Sequence, residues 1–274
     1  MRIVRYEKDW EGHYGLVEGD TVYELAGDVF GDPRPGQAVG KWGEVNLLAP
    51  CRPETIWSNG ANYPSRCQER GFDLPTKPHV LHAPGTMICG PESEIRIPDT
   101  EVRSEYGVEL GIVVGRDCHQ AEVSEADAYI FGYTALNNIW SKDPDAVPYR
   151  KPIRVYDTYC PVGPVVDTEI DWGDLALRLF IDGECRQDDR TSSVLFSPQL
   201  LVSWVSKLTP MKQGDLIMTG TPGGVEGHVL HYGETVEAEL EGIGRLRNRV
   251  TRVDTGAATH VVSVEKWLEE ERPG

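Results

Sequence analysis

Two carboxylates near the middle of the chain have the spacing of a chemical site. The stretch "SEYGVELGIVVG", residues 104–115, predicts a buried strand with Glu105 and Glu109 near its start. Successive side chains of a strand point to opposite faces, so Glu105, Gly107 and Glu109 would share one face. Paired carboxylates on an inward face suit a hard divalent cation or general acid–base catalysis. The bare Gly107 between them indicates an altered version of such a site.

The composition restricts the classes of partner. The chain has 274 residues and a formal net charge of -17, from 44 acidic and 27 basic residues. Such a surface repels phosphate backbones, so we expect no nucleic-acid binding. No apolar run is long enough to span a membrane, and the charged start "MRIVRYEKDW" is not typical of a signal peptide. Six scattered cysteines without a CxxC pair argue against a zinc site and a disulfide framework, and we expect a cytoplasmic protein.

The elements that must position these carboxylates are mostly strands. The 29 glycines and 19 prolines indicate many turns. The dipeptide Asp182-Gly183 is a hairpin signal within "DLALRLFIDGECRQ". The segment "PSRCQERGF" predicts a short helix that stops at Gly71, and "SPQLLVSWVSKL" has the apolar spacing of an amphipathic helix.

Three segments differ in character along the chain. Residues 1–50 predict a small N-terminal β appendage with a connector, because side chains alternate between apolar and polar up to about residue 45. Residues 51–252 form the main body, and residues 253–274 form a tail that is first rich in Gly and Ala and then charged. The polar, proline-containing stretch at 141–153 has the composition of a lid.

The order of several motifs resembles that of the fumarylacetoacetate hydrolase family. These motifs are "GANY", "VELGIVVG", "GYTALNN", "YDTYCPVGP", "IDGECRQ", "QGDLIMTGTPGGV" and "EGIGRLRNRV". The resemblance implies an α+β, mainly β fold, a mixed β-sandwich roll, usually as a homodimer. It also implies hydrolysis, decarboxylation or tautomerisation of small β-diketo and 2-oxo acids with a divalent metal, usually magnesium. Magnesium can chelate both oxygens of a keto acid and stabilise the enolate that forms when a C–C or C–H bond breaks.

Several functional positions of that family are substituted in this chain. Glu109 matches the second glutamate of the family's metal motif, whereas Gly107 replaces the first glutamate and Asn138 replaces the aspartate. Arg66 replaces the histidine of the family's His–Glu dyad, and Glu69 matches its glutamate. The resemblance therefore implies a rebuilt site.

A further substitution and several retained positions complete the candidate site. Arg154 replaces the family's lysine, which lies three residues before the aspartate of the "DT" motif. Thr221 would supply a hydroxyl and a backbone N–H to the substrate carboxylate. The positions that the resemblance places near the substrate are Tyr63, Asn138, Tyr156, Asp157, Gln187, Gly220 and Thr221.

The substitutions predict weak or absent metal binding. One retained carboxylate, that of Glu109, leaves a hard dication with little charge compensation. Glu105 would lie roughly 13 Å from residue 109 along an ideal strand at ~3.3 Å per residue, and we expect it to be solvated. The expected cofactor is therefore none, or weakly bound Mg²⁺ or Mn²⁺ at Glu109.

Arginines could take over the anchoring of a small anionic keto-acid substrate. The guanidinium groups of Arg66 and Arg154 suit a carboxylate or an enolate, but they stay protonated and cannot act as bases. Proton transfer would then depend on Glu69 or Glu109. We expect an enzyme that favours decarboxylation, tautomerisation or a cyclisation-type step over hydrolysis. Two alternatives stay open: a conventional metal-dependent C–C hydrolase or decarboxylase, and a catalytically silent homologue whose arginines merely pair with neighbouring carboxylates.

Overall fold

The computed structural model describes residues 1–98, 103–142 and 156–253. Arg154, most of the lid candidate at 141–153 and the tail beyond residue 253 lie outside the described residues, so these assignments stay predictions.

Nineteen strands are present in the described ranges. In chain order they are β1 (Arg2–Lys8), β2 (Glu11–Glu18), β3 (Thr21–Ala26), β4 (Arg34–Lys41), β5 (Leu47–Leu48), β6 (Thr55–Gly60), β7 (His79–Pro84), β8 (Ile88–Cys89), β9 (Glu94–Pro98), β10 (Arg103–Glu105), β11 (Val108–Val114), β12 (Ile130–Asn137), β13 (Trp140–Lys142), β14 (Cys160–Asp167), β15 (Ala176–Ile181), β16 (Glu184–Arg190), β17 (Leu216–Met218), β18 (Thr235–Leu240) and β19 (Gly244–Val253). The helices are α1 (Pro64–Arg70) and α2 (Pro198–Leu208), with short 3₁₀ helices at Trp42–Glu44, Gly85–Met87, Val123–Tyr129, Trp172–Asp174 and Thr191–Ser193.

Two mixed sheets pack against each other. The large sheet has the strand order β4-β3-β2-β1-β14-β12-β11-β17-β6-β7, with β5 beside β1 and β8 beside β14. The second sheet has the order β16-β15-β18-β19-β9. Strands β11, β12 and β14 contact β15, β18 and β19. Every second residue of β18 is buried, namely Val236, Ala238 and Leu240, as expected for a strand with one face on a core. The predicted mainly β sandwich is confirmed.

The N-terminal strands extend the large sheet. Strand β1 pairs antiparallel with β14, with Arg2 opposite Asp167 and Ile3 opposite Val166. Ile3 and Val4 are fully buried and belong to the same hydrophobic core as the main body. The N-terminal strands therefore share their apolar contacts with the sheet that carries the candidate site.

The helices and hairpin follow from local sequence, as predicted. Helix α1 begins at Pro64, whose fixed φ suits a first turn, and it ends at Gly71, which has a left-handed φ of 64°. Helix α2 begins after Ser197, whose side chain accepts a hydrogen bond from the Leu200 N–H. Asp182 and Gly183 form the hairpin turn between β15 and β16 with φ of 48° and 81°. No helix in the described part of the chain is long and apolar enough to cross a membrane.

The strand predicted over residues 104–115 is interrupted, which corrects that prediction. Strand β10 ends at Glu105 and pairs with β13, whereas β11 begins at Val108 and pairs with β12 and β17. The Gly107 N–H between them donates to the Asn137 side-chain oxygen at 3.1 Å. Because alternation of faces applies within one strand, the expected shared face of Glu105 and Glu109 does not follow.

Candidate functional site

A cavity of about 190 Å³ lies where neighbouring strands of the large sheet end. The start of β11 lies beside the end of β17, and β17 runs parallel to β6. Four residues singled out from the sequence line this cavity together: Arg66, Glu109, Asn138 and Thr221. The adjoining strands contribute further walls, including Ser58 from β6 and Trp140 from β13. The fold therefore brings a cation, a carboxylate, an amide and a hydroxyl to one site.

Glu109 is the buried carboxylate of the cavity, with 1% of its surface exposed. Its Oε1 accepts a hydrogen bond from Asn138 Nδ2 at 2.8 Å, and its Oε2 accepts one from the Gly220 N–H at 2.6 Å. Gly220 has a left-handed φ of 102°, and a Cβ there would lie 2.9 Å from Asn62 Cβ. Glycine at position 220 therefore lets the backbone approach and orient the Glu109 carboxylate.

Thr221 occupies the space beside Gly107. A Cβ at Gly107 would lie 2.7 Å from Thr221 Oγ1, 2.8 Å from its Cβ and 2.9 Å from its Cγ2. Because close-packed interiors do not tolerate such contacts, only glycine fits at position 107 while Thr221 stays in place. The loop after β17 thus fills the volume that a longer side chain at 107 would need.

Gln187 holds this loop against the start of β11. Its Oε1 accepts the Val108 N–H at 2.9 Å, and its Nε2 donates to Thr221 Oγ1 and to the Pro222 carbonyl, each at 2.9 Å. The side chain extends from β16 of the second sheet and is 1% exposed. Gln187 therefore positions Thr221 through contacts within the protein.

Arg66 lies among carboxylates at the edge of the cavity, with its side chain 10% exposed. Its Nη1 is 2.5 Å from Glu69 Oε2 and 3.4 Å from Glu226 Oε1, while its Nη2 is 3.9 Å from Glu105 Oε2. The guanidinium carbon lies 5.8 Å from the centroid of the Trp140 ring. Hydrogen bonds from Arg66 to the described residues start from Nη1 alone. The Nε–Nη2 edge, which suits bidentate binding of a carboxylate, donates to none of these residues.

Glu105 is buried, and the expectation that it is solvated was wrong. It is 6% exposed and accepts a hydrogen bond from Trp140 Nε1 at 2.8 Å. Pairing of β10 with β13 places Trp140 directly opposite Glu105. The distance argument failed because it assumed one continuous strand from residue 105 to 109. Sequence reasoning missed Trp140 altogether; its position two residues after Asn138 is the signal that could have drawn attention to it.

Glu69 joins the C-terminal end of α1 to the loop at 224–226. Its Oε1 accepts the backbone N–H groups of Gly224, Val225 and Glu226 at 3.0, 3.0 and 2.9 Å. Burial by itself would raise the pKa of Glu69, but these N–H groups and the Arg66 guanidinium outweigh it and hold the pKa below its ordinary value. Glu69 does not line the cavity itself, and it adjoins the cavity through Arg66, which does.

The lowered pKa of Glu69 predicts a contribution to stability that depends on pH. A folded-state pKa below the unfolded value of about 4.3 means that the contribution is present above that pH and is lost as the pH falls through the folded pKa. We expect the stability difference between the native protein and Glu69→Gln to be constant above about pH 5 and to shrink below about pH 4. Urea unfolding at several pH values measures it, and a difference that persists unchanged into acid would contradict this assignment.

The other candidate residues lie outside the cavity lining. Tyr63 is fully buried, burial raises its pKa, and its hydroxyl has no partner among the described residues. Tyr156 packs against Tyr159 with ring centroids 5.0 Å apart. Asp157 is exposed and lies 3.5 Å from Arg96 Nη2. The described residues therefore do not bring Tyr63, Tyr156 or Asp157 into contact with the cavity.

The donor set does not fit the magnesium ion that the resemblance implies. At the three family ligand positions, Glu109 supplies a carboxylate, Asn138 supplies a neutral amide oxygen and Gly107 supplies nothing. Within the described ranges, no group of three or more His, Cys, Asp or Glu side chains is arranged to hold a metal ion. Magnesium requires near-octahedral oxygen coordination and carboxylates that compensate its charge. One carboxylate and one amide do not provide that environment.

Comparison with protein families agrees with the fold and the motifs. The chain matches the model described as fumarylacetoacetate (FAA) hydrolase C-terminal over residues 55–251, and the model described as Rv2993c-like, N-terminal, over residues 1–50. The chain therefore belongs to the fumarylacetoacetate hydrolase family.

Individual relatives include proteins with isomerase and tautomerase names. Protein Rv2993c of Mycobacterium tuberculosis is 34% identical over 246 residues, which cover 88% of this chain and 92% of that protein. The mitochondrial oxaloacetate tautomerase Fahd2a of Rattus norvegicus is 29% identical over 218 residues, covering 76% of this chain and 70% of that protein. The crystal structure of 2-hydroxyhepta-2,4-diene-1,7-dioate isomerase from Mycobacterium marinum superposes with a TM-score of 0.83 at 33% identity, covering 92% of this chain and 98% of that one.

Proposed function

We propose that this protein is an isomerase or tautomerase of small 2-oxo acids that holds its anionic substrate with Arg66 instead of a magnesium ion. The observation that carries the proposal is that the Arg66 guanidinium and the Glu109 carboxylate line one cavity. The names of the isomerase and tautomerase relatives support the same reaction class. The proposal includes a homodimer, as is usual in the family, located in the cytoplasm, with no metal or only weakly bound Mg²⁺ or Mn²⁺.

Arg66 would anchor the substrate and neutralise the charge that develops on it. A 2-oxo acid presents a carboxylate oxygen and the C2 oxygen side by side, and the Nε–Nη2 edge offers parallel N–H groups to such a pair. Because the side chain is largely shielded from water, these bonds would stabilise an enolate oxygen strongly. Contacts with Glu69 and Glu105 would keep the guanidinium in place.

Glu109 would carry the proton. In the keto-to-enol direction the C3–H bond breaks, its proton moves to the Glu109 carboxylate, and its electron pair forms the C2=C3 double bond. The C2=O π electrons move to the oxygen, which Arg66 stabilises, and the proton then passes from the Glu109 carboxyl to this oxygen, which gives the enol and restores the Glu109 carboxylate. The net change is a proton shift, without addition of water. Hydrolysis would require a further base for water, and Glu69 is a weak candidate because its lowered pKa reflects four engaged donors.

Tautomerisation of oxaloacetate by the chelator-treated protein tests the proposal. We expect the loss of enol absorbance in the ultraviolet to be about 100-fold or more faster than in buffer, since proton transfer by a positioned side chain contributes that much. The rate should be the same with excess EDTA and with added Mg²⁺. Activity only with Mg²⁺ would indicate the conventional metal-dependent enzyme, and binding of oxalate without turnover of several 2-oxo acids would indicate a catalytically silent homologue. Either result would overturn the proposal.

A further inference from the structure

The orientation of the Asn138 amide is fixed by its contact with Glu109. Asn138 Nδ2 lies 2.8 Å from Glu109 Oε1. The other carboxylate oxygen accepts the Gly220 N–H, so both oxygens of Glu109 act as acceptors. Because the Glu109 oxygens accept these bonds, the amide nitrogen faces Glu109 and the amide oxygen faces away from it.

The Asn138 amide oxygen is left as a buried acceptor. Asn138 is 3% exposed, and its Oδ1 has no hydrogen-bond donor among the described residues. A buried oxygen without a donor costs free energy, so such a group in a cavity points to a ligand that donates. Asn138 is itself part of the cavity lining.

Only one of the two tautomers of a 2-oxo acid can donate a hydrogen bond from C2 to the Asn138 amide oxygen. The keto form presents only acceptors at C1 and C2, whereas the enol form carries an O–H at C2. Resting on the proposed function, we propose that Asn138 is a specificity-determining residue whose amide oxygen accepts the O–H of the enol, so that the cavity binds the enol in preference to the keto form. Asn138 binds the hydroxyl and transfers no proton.

Binding of simple anions tests this without catalysis. Lactate carries an O–H on C2, whereas pyruvate carries a carbonyl there. Binding of either anion can be measured without any turnover. We expect chelator-treated protein to bind at least one lactate enantiomer about five- to tenfold more tightly than pyruvate, the usual worth of one hydrogen bond to a buried neutral acceptor. Dissociation constants from NMR titration give this ratio.

Variants at position 138 separate the hydrogen bond from other effects. Asn138→Leu should reduce the lactate-to-pyruvate preference to about one, mainly by weakening lactate, because the acceptor is gone. Asn138→Asp keeps an acceptor of the same shape, so it should keep the preference even if added charge weakens both anions. A ratio near one in the native protein, or a preference that survives Asn138→Leu, would overturn the proposal.

These measurements distinguish a failure of the inference about Asn138 from a failure of the proposed function, even if Asn138→Leu does not fold. The native ratio alone can overturn the inference. If the native protein tautomerises oxaloacetate but binds both anions equally, the inference about Asn138 fails and the proposed function stands. If lactate is preferred but no 2-oxo acid is turned over, the hydrogen-bonding role stands and the proposed function fails.

Discussion

Replacing Arg66 by glutamine is expected to lower kcat/KM for oxaloacetate tautomerisation by about 100- to 1000-fold, the usual effect of removing a buried group that stabilises a developing oxyanion. Two features lead to this expectation: the Nε–Nη2 edge donates no hydrogen bond to the described residues, and the side chain is buried. The measurement is steady-state kinetics on chelator-treated protein, with thermal unfolding recorded in parallel. Unchanged kcat/KM would exclude Arg66 from substrate binding.

The same substitution could act through stability, because it leaves carboxylates such as Glu69 and Glu105 without the Arg66 cation. Arg66→Ala with added guanidinium ion separates the two effects, since a small cation that restores turnover must act at the vacated position. Arg245→Gln is a comparable control, because Arg245 likewise contacts more than one carboxylate, those of Glu239 and Glu237, but is itself exposed. We expect this control to keep its activity within about twofold, as surface ion pairs contribute little.

Adding one methyl group at Gly107 is expected to destabilise the protein by about 1–3 kcal/mol, the usual cost of overpacking a filled interior. Three atoms of Thr221 would lie 2.7–2.9 Å from the new Cβ. Gly107 does not have a left-handed φ, so the cost is steric. Denaturant unfolding of Gly107→Ala measures it, and Gly43→Ala is the control because nothing lies within 4 Å of a Cβ at that position.

A double-mutant cycle assigns the cost to Thr221. Thr221→Gly removes all three clashing atoms, so Gly107→Ala should cost much less in that background. Additive effects would show that the strain arises elsewhere. For the same reason, Gly107→Glu with Asn138→Asp should bind Mg²⁺ in calorimetry only when Thr221→Gly is added. Magnesium binding by the variant that carries Gly107→Glu and Asn138→Asp, without Thr221→Gly, would show that the Thr221 loop can move away from residue 107.

Local sequence patterns were sufficient for the end of helix α1 and for the hairpin turn. The stop of α1 at Gly71 and the hairpin at Asp182-Gly183 are confirmed because each depends on backbone preferences of adjacent residues. The mainly β sandwich could be predicted because the family motifs run in order through most of the chain.

The site could be predicted only in part. Family positions identified Arg66, Glu109, Asn138 and Thr221, which line one cavity. The Glu105–Trp140 contact was missed, because it joins residues 35 positions apart through the pairing of β10 with β13. No local pattern encodes that pairing.

The tight contact between Gly107 and Thr221 was equally invisible in the sequence. A glycine at a substituted position shows that a side chain is absent, but not what occupies the space. Close packing between a strand and a distant loop depends on the whole tertiary arrangement. The structure shows that Thr221 occupies this space, which the sequence does not reveal.

The Gln187 side chain has a consequence for how the cavity meets a ligand. It connects the second sheet to the Val108 backbone and to the Thr221 loop through one buried amide. The Thr221 loop loses its conformational freedom when the two sheets assemble during folding. Little conformational entropy of the loop therefore remains to be lost when a ligand binds. The cavity wall is thus preorganised, and a ligand meets a surface whose shape was set during folding.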